Sequence, residues 1–168
     1  MELSDIDDVL CIDFVQWNRV NAYMNELDRV LVEILSLGKT APAKALDLIW
    51  YFIKTIPNIF NSVHDEYELG MLCSELAQAA WSLTKKAAWP VQDAVRRLLD
   101  AYAADVHDTC RFDEIPGILA TTRMNNRMRH EMAEVALNVA QSHPKATSEL
   151  RALADNLLAT VGKKGKGT

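Results

Sequence analysis

The sequence predicts an all-α protein of six or seven helices in stacked antiparallel hairpins. Three observations carry that expectation. Apolar residues recur three and four positions apart through nearly every segment, the spacing that lays them along one helix face. No run alternates apolar and polar residues as a half-buried strand does. Glycine and proline, which break regular structure, are scarce at 6 and 5, and most of them fall between the periodic stretches.

The elements follow in order. Trp17, Val20, Met24, Leu27, Leu31 and Ile34 form a heptad seam, which suits packing within a bundle more than a long coiled coil. Its helix spans roughly 15–37 and ends at Gly38, a C-cap residue. The second helix opens at Ala41-Pro42, because proline fits a first helical turn. Its stripe is Leu46, Ile49, Ile53 and Ile56, and Leu48, Trp50, Tyr51 and Phe52 make its middle apolar on nearly all sides. Such a helix belongs at the centre of a fold. Pro57 should kink or restart it, leaving a short turn through Phe60. A third helix over about 66–87 carries Leu69, Leu72, Leu76, Ala80 and Leu83. It stops before Trp89-Pro90, since a residue preceding proline avoids helical backbone angles.

Pro90 opens the fourth helix, with Val91, Val95, Leu98, Tyr102 and Val106 on one face. Residues 107–122 are less regular and contain Ile115-Pro-Gly117. The sixth segment follows Met124, Met128, Met132, Val135 and Val139 until Ser142-His-Pro144 breaks it. The last helix uses Leu150, Leu153, Leu157 and Val161. Short connections pair consecutive helices as antiparallel hairpins. An irregular bundle and a short helical-repeat array both satisfy this pattern.

The chain has 168 residues, a length that fits one domain able to bury a core without disulfides or metal. The expected organisation is a single helical domain over 1–161 and a flexible basic tail over 162–168. Net charge is −5, unevenly spread. Residues 1–84 hold 13 acids and 5 bases, whereas residues 85–168 hold 10 acids and 13 bases. Affinity for a polyanion therefore belongs to the second half, and the acidic whole argues against a dedicated nucleic-acid binder. Cys11, Cys73 and Cys110 are widely spaced and odd in number, as reduced thiols in a cytoplasmic protein would be. Met1-Glu-Leu-Ser-Asp5 lacks the basic-then-apolar order of a signal peptide. The longest markedly apolar run, Leu48–Ile53, is far shorter than the about 20 residues of a membrane span. No membrane association and no export are expected.

Ile12-Asp-Phe-Val-Gln-Trp17 leading to Asn25-Glu-Leu-Asp-Arg-Val-Leu31, then Val63-His-Asp-Glu-Tyr-Glu-Leu-Gly70, then Asp93-Ala-Val-Arg-Arg-Leu-Leu99 together resemble a bacterial helical region of unknown function. That region is similar to TPR or HEAT repeats and often lies beside SWIM-type zinc fingers. Ala45-Leu-Asp-Leu48 resembles its second helix. The resemblance covers roughly 10–120 and implies a helical-repeat fold and an interaction role. It brings no catalytic residues. The SWIM cysteine and histidine pattern is missing from this chain, so zinc binding does not transfer. Val63–Gly70 is also one residue shorter than the family's acidic loop and lacks its inner glycine.

His64-Asp-Glu-Tyr-Glu68 is the stretch that looks most like chemistry. It is too short for a calcium loop and has no glycine at a bend. His64-Asp-Glu66 matches the H-x-E half of a zinc-deaminase signature, but no P-C-x-x-C follows. Asp65 at an N-cap and Glu68 three residues on instead form a variant capping box at the positive end of a helix. His64 and Tyr67 are left over, facing a partner or solvent. His107-Asp-Thr-Cys110 is half a metal site at most, and reads better as a loop.

The run Thr121–His130 is the best positive patch. Arg123 and Arg127, four apart, are expected on one helix face with Arg129 and His130 flanking it. The first reading is a solvated face opposite the methionine stripe, with Arg127–Glu131 and His130–Glu134 pairs. The second is an anion or acidic-partner surface, with Lys163, Lys164 and Lys166 as a weak electrostatic arm. Among the tryptophans, Trp17 and Trp50 read as core. Trp81 falls off its helix stripe and Trp89 precedes a break, so either can also anchor a partner. The sequence therefore suggests no enzyme, no cofactor and no metal. Its preferred function is a protein-interaction or scaffold module, by partner binding or self-association. Nucleic-acid or polyanion binding is the second, and a metal-dependent enzyme the third.

Overall fold

Helix ends in this chain are set by local backbone chemistry as much as by apolar pattern. In a computed structural model describing residues 2, 20–59, 66–108 and 110–166, the fold is all-α. Seven α-helices and one 3-10 turn occur among the described residues, and no strand does. They are α1 Val20–Leu37, α2 Pro42–Ile59, α3 Glu66–Lys86, α4 Val91–Asp105, α5 Ile115–Thr121, α6 Asn126–Ser142, the 3-10 turn Pro144–Ala146 and α7 Thr147–Lys166. Contacts gather into two compact units, Met1–Trp89 and Pro90–Thr168.

In the first unit α1, α2 and α3 pack on one another, with α2 against α3 the most extensive pairing. The α1 seam buries Leu27, Leu31 and Ile34. Arg29 on its outer face bridges Glu26 and Glu33 one turn to either side. This hydrogen bonding holds the Glu26 carboxyl below its ordinary range. α2 is buried on several faces through Leu46, Leu48, Ile49, Trp50, Phe52 and Ile53, as its all-round apolar middle requires. It runs through Pro57 to Ile59 instead of ending before it. A proline in the last turn removes one N–H donor without stopping the residues already wound behind it. α3 buries Leu72, Leu76, Ala80 and Leu83 on its stripe.

Two termini in this unit explain their sequences. Gly38 follows α1 without adopting a left-handed conformation. A Cβ there would lie 2.9 Å from Cδ2 of Leu83, so the glycine lets the end of α1 approach α3. The left-handed cap occurs at α3 instead, on Ala88 at φ 53°. Ala88 N–H donates to the Lys85 carbonyl at 3.2 Å and Trp89 N–H to the Thr84 carbonyl at 3.0 Å, the pair of bonds that defines a Schellman motif.

In the second unit α6 and α7 make the most extensive pairing, and α4 packs on α5 and α6 while α5 meets α7. Val95, Leu98, Leu99, Phe112, Leu119, Met132 and Leu150 are at most 2% exposed. The stretch expected to be irregular contains α5, with Pro116 in its first turn, where a missing N–H costs nothing. α6 starts at Asn126, not at Met124, because Asn125 caps it: its Oδ1 accepts from Met128 N–H at 2.8 Å. α7 continues to Lys166, past residue 162, where a tail was expected to begin. His143 Nε2 reaches Asp100 Oδ1 at 3.3 Å and ties the end of α6 to α4.

Candidate functional site

The second unit holds a cleft of about 370 Å³ between α4, α5 and α7. Its apolar walls are Pro116 and Ala120 from α5 and Ala152 and Leu153 from α7. Gly117 also lines it, and a Cβ there would meet nothing within 4 Å. Three polar side chains line it: Tyr102, Glu149 and Asn156.

Glu149 stands in the first turn of α7, where the helix dipole favours a carboxylate. Its Oε1 lies 3.0 Å from Nε2 of His107, and that nitrogen also lies 2.6 Å from the Lys145 carbonyl. Both neighbours are acceptors, so Nε2 carries the hydrogen and the two oxygens share it. The other carboxylate oxygen, Oε2, is buried and has no hydrogen-bond partner. Tyr102 is 7% exposed. Burial raises its hydroxyl above the ordinary 10.0, and the charge of Glu149 adds to this, with Cys110 and Asp113 contributing less. An apolar-walled cleft with the Glu149 carboxylate among its lining groups is suited to receiving a cation with an aliphatic stem.

Arg129 is another charged side chain with unsatisfied atoms among the described residues. It is 5% exposed, and its Nε and Nη1 are buried without hydrogen-bond partners. It shares the core face of α6 with Met132, Ala133, Ala136 and Ala140, because residues 3, 4, 7 and 11 positions on fall beneath it.

These placements correct the arginine patch. Arg123 precedes α6, so it has no helical neighbour four residues on at Arg127. Arg129 faces the core instead of flanking a solvated surface. Arg127 alone behaves as expected, 87% exposed at its side chain and 3.2 Å from Glu131. Trp81 and Trp89 are both half-buried, and Trp89 occupies the residue after the left-handed cap of α3. Asp65 lies outside the described residues, as does the side chain of Glu68, and with them the capping box. His107 and Cys110 diverge: the histidine turns to Glu149 and the Cys110 thiol donates to the Val106 carbonyl at 3.0 Å. Among the described residues no three His, Cys, Asp or Glu side chains gather where they could hold a metal ion. No helix among them is long and apolar enough to cross a membrane.

Sequence reasoning missed the cleft. His107 and Glu149 are too far apart in the chain for any spacing rule, and Glu149 alone reads as an ordinary first-turn acid. The usable signal was Ile115-Pro-Gly117, a helix start followed by small residues that leave space.

Residues 11–164 match the family of unknown function DUF6880, and the chain belongs to it. No curated protein and no solved structure matches. The family match carries no link to TPR or HEAT repeats or to SWIM-type zinc fingers.

Proposed function

We propose that the chain is a protein-interaction module whose partner places a lysine or arginine side chain in the cleft of the second unit. The observation that supports this is Glu149, a carboxylate lining an apolar-walled cleft, whose Oε2 has no hydrogen-bond partner. An aliphatic stem lies along Pro116, Ala120 and Leu153 while its charged head meets the Glu149 carboxylate. His107 fixes the carboxylate from the other oxygen, so little side-chain freedom is lost on binding. The apolar surroundings strengthen the pairing beyond that of an open surface. The polyanion reading needs Arg123, Arg127 and Arg129 on one solvated face, and their placement does not supply it.

Affinity capture with the full chain tests the proposal. Wild-type protein is expected to recover a reproducible partner, Ala152→Trp to lose it by filling the cleft, and Glu149→Gln to bind about tenfold or more weakly. Thermal unfolding of each variant checks that the fold is intact. Undiminished capture by Ala152→Trp, or neither a reproducible partner nor self-association of the wild type, would count against it.

A further inference from the structure

Arg129 carries a charge that the described protein leaves uncompensated. Its guanidinium offers only donors, and Nε and Nη1 are closed off from solvent without acceptors. Burial of an unpaired charge is among the least favourable arrangements in a folded chain. A partner group that brings acceptors removes that penalty on arrival.

The position of Arg129 defines the chemistry of that group. It is the fourth residue of α6, and helical side chains lean back over the preceding turn. That lean directs the Arg129 side chain toward the start of the helix. There Asn125 already caps Met128, while the N–H groups of Asn126 and Arg127 have no acceptor within the helix. The dipole of a 17-residue helix adds positive potential at this end. Arg127 stands in the same turn, sharing its guanidinium with Glu131.

We infer that the start of α6 is an oxyanion site, with Arg129 as its buried anchor and the open first-turn N–H groups as its second contact. A carboxylate and a phosphoryl group both present paired oxygens that match a guanidinium fork. The guest here is opposite in charge to the one proposed for the Glu149 cleft, and this site stands without that reading.

Titration of the full chain with inorganic phosphate, and separately with acetate, each against chloride at matched ionic strength, tests the site. The Arg129 Nε–H signal in an ¹⁵N spectrum of wild-type protein is expected to move with at least one anion. Tm is expected to rise by roughly 8 °C when that anion exceeds its Kd about 100-fold. A response to phosphate alone assigns a phosphoryl ligand, to acetate alone a carboxylate, and to both a general oxyanion. Arg129→Met should abolish the Tm response, and without anion it should melt no lower than wild type because the unpaired charge is gone. A stationary Arg129 signal with both anions, or an equal Tm rise in Arg129→Met, would overturn the site.

Discussion

Ala88 holds a left-handed conformation, φ 53°, that costs an L-residue roughly 1–2 kcal/mol and glycine almost nothing. The Schellman bonds of Ala88 and Trp89 hold it there. Ala88→Gly should therefore stabilise the protein by about 1 kcal/mol, after allowing for the freer unfolded chain of glycine. Urea denaturation measures this, and unchanged or lower stability would mean the cap is not strained. Tyr102 offers a second test at this scale. Its folded-state pKa is raised by burial and by Glu149, so the fold favours the neutral phenol. That contribution is complete below the ordinary value of 10.0 and is lost as pH rises through the folded-state value. Stability should fall above pH 10.0, and Tyr102→Phe should flatten that fall. In ultraviolet titration of phenolate, Glu149→Gln should bring the Tyr102 transition down toward 10.0.

At the scale of elements, glycines separate two kinds of position. Gly70 lies inside α3, and a Cβ there would meet nothing within 4 Å. Gly70→Ala should stabilise α3 by roughly 0.5–1 kcal/mol, because alanine loses less backbone freedom in a helix. The same change at Gly38 meets Leu83 and should give no such gain. Denaturant midpoints of the two variants compare them directly. The sequence showed where helices lie because each apolar stripe repeats locally, and α2 could even be recognised as central from its all-round apolar middle. It misjudged boundaries where one side chain or one contact decides. Asn125 moved the start of α6 past Met124, which leaves Arg123 outside the helix, while the periodicity of Met132, Ala133 and Ala136 puts Arg129 on its buried face. Gly38 reads as a cap from sequence because packing against Leu83 cannot be seen there.

At the scale of the whole molecule, the helical class was legible and the cleft was not. Helices are written in neighbouring residues, whereas the cleft is assembled by Tyr102 on α4, Pro116 on α5 and Glu149 on α7, which only tertiary packing brings together. The buried, unbonded Oε2 of Glu149 makes that cleft the functional centre of the proposal. Site-specific photo-crosslinking in cells tests it most directly, with the crosslinker placed at cleft-lining Ala152 or at exposed Asn138 on α6. The account expects a discrete, reproducible adduct from position 152, none from 138, and loss of the adduct when Glu149→Gln is added. No adduct from 152, or the same products from both positions, would contradict it.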